Sequence, residues 1–201
     1  MADSDLAATV HHSGGSYPVV AGWGTIHTLG DRFTDLGLTN TAYIITDANV
    51  MNLYGRNVQR ALQKRGIPAH CFIIPAGETS KSFDLAQSIY LWLANLKAER
   101  GHTIVSVGGG VAGDLGGFIA ATYLRGMPFV QVPTSMAAMV DASIGGKVAV
   151  NLPQAKNLVG AFYQPRGVFA DVQTLDTLGK RELAEGWAEA IKHGFILDAS
   201  L

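Results

Sequence analysis

The chain is short of cysteine, of charge and of uninterrupted apolar sequence. Among 201 residues there is one cysteine, Cys71. No disulfide can therefore staple the fold, and the expected setting is a reducing cytosol, with Cys71 a small buried hydrophobe in a strand-like run. Charged residues are 15% of the chain and the formal net charge is -1. That gives no electrostatic basis for binding nucleic acid or an anionic membrane surface. The first residues carry Asp3 and Asp5 with no basic region and no apolar core, unlike a secretory leader. The least charged stretch, 103–124, is interrupted by glycines and by Asp114, which makes it a poor membrane span. G-x-S-x-G, H-E-x-x-H and C-x-x-C are all missing, so nothing supports nucleophilic catalysis by Ser or Cys.

What remains is 48% apolar and rich in glycine, 24 residues in all, clustered in short groups rather than in a repeat. Such clusters suit tight turns and close backbone approach to a ligand. The first fifteen or so residues, with His11-His12, are weakly patterned and expected to be loose. After them, β-branched and aromatic runs at 17–21, 42–46, 70–74, 103–107, 129–132 and 168–172 predict strands. Helical spacing predicts helices over 50–64 and 82–99, with Gly66 and Gly101 as stops. A last helix is expected from Gly179 to about Leu197, with Ala184, Ala188, Ile191 and Phe195 on its apolar face. The alternation implies an α/β fold, a mostly parallel Rossmann-like sheet with helices on both faces. Ligands of such sheets lie beyond the carboxyl ends of the strands.

Four groups of residues fall there or on the last helix. Gly108, Gly110 and Gly113 match G-x-G-x-x-G between a strand and a helix, either a pyrophosphate cradle or a packing turn. The segment 75–81 holds Glu78, Lys81 and a capping serine, Ser80 or Ser82. Asp141, Ser143, Gly145-Gly146-Lys147, Asn151, Lys156 and Asn157 form the densest group, and Lys147 and the upstream Arg125 suit an anion. Glu182, Glu185, Glu189 and Lys192 share a helix face, either a solvated stripe or one carrying a metal ligand. His193 lies at chelating distance in sequence from Glu189.

In order and spacing, the segments 108–115, 121–126, 132–134, 140–147, 156–162 and 188–192 resemble 3-dehydroquinate synthase. The resemblance implies conversion of 3-deoxy-D-arabino-heptulosonate 7-phosphate to 3-dehydroquinate and phosphate, a step of the shikimate pathway. It implies NAD as a catalytic cofactor and a divalent metal, zinc or cobalt. By the same resemblance the NAD contacts would be Asp47, Asn49, Glu78, Lys81, Gly109, Gly110, Asp114, Thr134, Ser135, Lys156 and Thr177. Arg125, Asp141, Lys147, Asn157 and Lys192 would serve the substrate, and Glu189 the metal. Residues 1–178 would be the NAD-binding domain, and 179–201 the start of a helical metal and substrate domain. The family's two histidine ligands lie beyond this sequence, so the metal site is expected to be incomplete and the chain inactive alone. A phosphorylated sugar acid as partner, a homodimer and a cytoplasmic location follow from the same resemblance. Another sugar-phosphate cyclase, a metal-dependent alcohol dehydrogenase and a non-catalytic nucleotide-binding module are the alternatives.

Overall fold

The computed structural model describes residues 5–196. Among these described residues nine strands are formed: β1 (Leu6–His12), β2 (Gly15–Gly22), β3 (Ala42–Asp47), β4 (Ala69–Ile74), β5 (Thr103–Gly108), β6 (Phe129–Pro133), β7 (Lys147–Val150), β8 (Val159–Phe162) and β9 (Gly167–Asp171). Six α-helical segments accompany them: α1 (Leu29–Asp35), α2 (Ala48–Val50), α3 (Arg56–Gln63), α4 (Phe83–Asn95), α5 (Gly110–Thr122) and α6 (Lys180–Ile196). A π-helical turn, Met51–Gly55, joins α2 to α3, and a second one spans Ala138–Ala142.

Seven strands make one sheet in the order β1-β2-β9-β6-β5-β3-β4, and every pairing except β1 with β2 is parallel. Parallel strands are covered on both faces, so their sequences are apolar throughout rather than alternating. β3 shows how this works. Ile44 enters the core made with Leu29, Phe33, Val58 and Leu62 of α1 and α3. Its neighbours Tyr43 and Ile45 enter the opposite core, with Ile89 and Leu93 of α4 and Leu115 and Ile119 of α5.

The α5 face is unusually close to its neighbours. A β-carbon on Gly116 would run into Oγ of Ser106, and one on Gly117 into Cγ1 of Val148. Small residues here let the helix sit down on the sheet and let the β7–β8 hairpin sit on the helix. That hairpin pairs Lys147 with Phe162 and Val150 with Val159.

Two sequence expectations need correction. The N-terminal segment is ordered: β1 pairs antiparallel with β2, and the His12 Nδ1 accepts from the Gly14 N–H at 3.1 Å in the turn between them. Helix α4 ends at Asn95, where Lys97 adopts a left-handed conformation (φ 53°), before Gly101 is reached. The apolar stripe of α6 points outward, with Ile191 54% and Phe195 89% exposed, while Gly186 packs on Met136. The expected end of that helix, Leu197, lies outside the described residues. Among the described residues, no helix is long and apolar enough to cross a membrane.

Candidate functional site

After β3 the chain adds β4 on one side and then returns to add β5 on the other. The crevice of such a sheet opens where the winding direction switches, beyond the carboxyl ends of β3 and β5. Strand register brings the tips together: Asp47 pairs with Ile74 of β4, Thr46 with Val107 of β5, and Gly108 with Pro133 of β6. Adjacent strands are about 4.8 Å apart, so the four loops that follow form one rim.

Asp47 caps α2, its Oδ1 accepting from the N–H groups of Asn49 (2.8 Å) and Val50 (3.0 Å). Gly109 stands at the start of α5 and supplies no side-chain cap. The first backbone N–H groups of that helix are therefore free to meet a negative charge. Ser135, after β6, lies against Gly109, its Oγ 3.3 Å from where a β-carbon on that glycine would be, and Thr134 donates its N–H to the Gly108 carbonyl at 3.0 Å. Thr177, after β9, shares a hydrogen bond of 2.8 Å with the Tyr54 hydroxyl and lines a smaller cavity of about 220 Å³.

The loop after β4 is tied to the loop after β7. The Lys81 ammonium, 5% exposed, donates to Oδ2 of Asp114 and to Oδ1 of Asn157. Burial pushes the Asp114 carboxyl above its ordinary range, against the pull of Lys81. Glu78 accepts from Nδ2 of Asn151 at 2.7 Å, and Lys156 lies 3.7 Å from the same carboxylate. Ser82 is the residue that caps α4, accepting from the Leu85 N–H, whereas Ser80 donates to the Pro75 carbonyl.

Beside this group lies a cleft of about 500 Å³, lined by Asp114, Asp141, Lys147, Asn157, Leu158 and Phe162 among others. The Lys147 ammonium is 3.5 Å from Oδ1 of Asp141. Double glycine 145-146 precedes it with both residues at positive φ, 88° and 73°, which a β-carbon would strain. Asp141 sits on the π-helical turn, and a β-carbon on Gly110 would be 3.6 Å from Ala142 next to it. Ligand atoms of Asp141, Glu189 and His193 all lie within 4.8 Å of one another. Lys192 donates to Oε1 of Glu189, and the His193 Nε2, buried and without a hydrogen bond, stands 3.5 Å from that oxygen. Gly110, Lys147 and Glu189, distant in sequence, thus meet around Asp141 and Ala142.

The donor set suits a divalent cation. Two carboxylates and an imidazole are ordinary ligands for one, at about 2.1 Å each, which would bring the ligand atoms to within roughly 4 Å of each other. A side-chain adjustment of under an ångström closes the remaining gap. Sequence reasoning assigned only Glu189 to a metal. It gave Asp141 a substrate role and offered His193 only a chelating spacing to Glu189, because the turn that carries Asp141 beside α6 leaves no mark in the spacing of either segment.

Arg125 follows α5, whose thirteen residues place it roughly 18 Å along the axis from Gly110, and its side chain is exposed. Thr177 lines the separate smaller cavity, and Glu189 and Lys192 stand on α6 beside Asp141.

A family model described as 3-dehydroquinate synthase N-terminal matches residues 71–185. The 3-dehydroquinate synthase of Symbiobacterium thermophilum is 51% identical over 183 residues, covering 90% of this chain and 51% of that protein. Among solved structures, 2-deoxy-scyllo-inosose synthase complexed with carbaglucose-6-phosphate, NAD+ and Co2+ superposes with a TM-score of 0.88 at 28% identity, over 94% of this chain and 52% of that one. The 2-epi-5-epi-valiolone synthase of Streptomyces hygroscopicus, with NAD+ and Zn2+ bound, gives 0.83 at 30% identity, over 97% and 53%. The chain spans about half the length of the curated relatives it matches.

Proposed function

Since the chain belongs to the 3-dehydroquinate synthase family, we propose that it supplies the NAD-binding half and part of the substrate and metal site of that synthase. The observation that carries this reading is the convergence of the strand tips, the bare N-terminus of α5 and the Lys147 cleft on one crevice. Identity of 51% to a 3-dehydroquinate synthase, against 28–30% to the two other cyclases, favours the first substrate over an inositol-like or valiolone-like ring.

In this reading the N–H groups at Gly109 and Gly110 receive the pyrophosphate of NAD, and Asp47, Asn49, Glu78, Thr134, Ser135 and Thr177 hold its sugars and bases. Lys81 and Asp114 shape the rim between cofactor and substrate, with Lys156 on the cofactor side. Lys147 and Lys192 read the anionic groups of a phosphorylated sugar acid, and Asn157 and Asp141 orient its hydroxyls. Glu189 holds the divalent cation, with Asp141 and His193 as the donors beside it. When bound, NAD takes and returns a hydride and the cation lowers the pKa of the hydroxyl to be oxidised. Residues 1–178 form the nucleotide-binding unit and 179–201 open a helical one. Zinc or cobalt as the ion, a homodimer and a cytoplasmic setting belong to the same proposal.

The test is phosphate release from 3-deoxy-D-arabino-heptulosonate 7-phosphate by a family-length polypeptide that includes these 201 residues. Release with NAD recovered oxidised is expected. Net accumulation of NADH from a simple polyol would assign the chain to a dehydrogenase instead.

A further inference from the structure

We infer that Asn151 is a positioning residue that couples the cofactor side of the site to its substrate side. The inference rests on the reading of Glu78 as a cofactor contact and of Asn157 as a substrate contact.

Three groups of Asn151 are engaged at once. Its backbone N–H donates to the Lys81 carbonyl at 2.8 Å, and the residue bridges Ser82 as a short parallel pairing. Its side-chain Nδ2 donates to Oε1 of Glu78 at 2.7 Å. Its Oδ1 accepts the Asn157 N–H at 2.9 Å. Asn151 thus grips the loop after β4 at two points while holding a residue six positions further along its own loop.

That residue needs holding. Asn157 stands at φ 59°, in the left-handed region, where a β-carbon crowds the following carbonyl. With its N–H fixed by Asn151, its side-chain oxygen reaches the Lys81 ammonium. A closed circuit results: Glu78 to Asn151, Asn151 to Asn157, Asn157 to Lys81, and Lys81 back along the chain to Glu78. A movement of Glu78 on meeting a cofactor is passed through one amide to the residue that meets the substrate. A primary amide serves both ends, because it donates on one side and accepts on the other.

Asn151→Asp tests this at constant size. It keeps the acceptor for Asn157, removes the donor to Glu78 and sets two carboxylates against each other. In the Glu78→Gln background the same change restores a donor–acceptor pair with the roles exchanged. Two readouts are taken on the full chain: amide hydrogen exchange without ligand, and NAD affinity by calorimetry. Asn151→Asp alone is expected to speed exchange in 77–82 and 152–158 by about tenfold, with β3 and β5 unaffected, and to weaken NAD by about tenfold. In the Glu78→Gln background it should cost nothing further in either readout. Equal costs in both backgrounds, unchanged exchange, or faster exchange across the whole sheet would each overturn the inference. The exchange arm needs no ligand, so a wild-type chain that fails to bind NAD would defeat the cofactor reading and still leave the coupling decided.

Discussion

Asp114→Ala isolates the energetics of the rim. The Lys81 ammonium is 5% exposed and the Asp114 side chain 19%, so this is a buried pair rather than a surface one. Removing the carboxylate leaves the ammonium with Oδ1 of Asn157 as its one remaining side-chain partner among the described residues. Stranding one member of a buried pair costs about 3–5 kcal/mol, and the partial exposure of Asp114 places the expected loss near the lower end, about 3 kcal/mol. For a chain of this size that lowers the melting temperature by roughly 6–12 °C. Adding Lys81→Met removes the stranded charge, and a buried pair replaced by apolar side chains is often neutral or better, so the double variant should recover most of the loss. Thermal unfolding followed by circular dichroism reads both. A drop of less than about 2 °C in the single variant, well below what the pair requires, or a double variant as unstable as the single, would refute the reasoning.

Burial raises the Asp114 carboxyl above its ordinary 3.8. The folded chain then binds that proton more tightly than the unfolded chain. Its contribution to stability is complete below 3.8 and is lost as pH rises through the raised value. Denaturant unfolding at stepped pH should show this slope in the wild type and lose it in Asp114→Asn; an unchanged slope would mean another group carries it. Gly117→Ala places a methyl against Cγ1 of Val148 and 3.0 Å from Cε1 of Phe129. Overpacking of about 1–3 kcal/mol should exceed the helix-propensity gain of about 1 kcal/mol, so the urea midpoint falls, and Val148→Ala in the same background brings it part of the way back. Cobalt added to the chain should give visible absorption bands that disappear in Glu189→Gln and weaken in His193→Ala; bands indifferent to both would place the ion elsewhere.

The centre of the sheet was legible because β3, β5 and β6 are buried on both faces, which leaves continuous apolar runs in the sequence. β1 escaped notice for the opposite reason. It is an edge strand, mostly exposed, and its pairing with β2 supplies order that its own pattern does not announce. The hairpin of β7 and β8 was not foreseen, since its strands are four residues each and β7 leans on α5 for its burial. The rim loops were legible from glycines and polar residues placed just after apolar runs. Their cross-links were not: Lys81 with Asp114 and Asn157, or Asn151 with Glu78, are contacts between distant segments that only the sheet register and the packing of α5 determine.

The account stands on a dinucleotide lying across the tips of β3, β5 and β6. Isothermal titration of the 201-residue chain with NAD examines that directly. One binding event per chain, displaced by ADP and abolished by Gly110→Trp in a variant whose circular dichroism matches the wild type, is the expected result. Absence of heat with NAD, or binding untouched by that substitution, would contradict it.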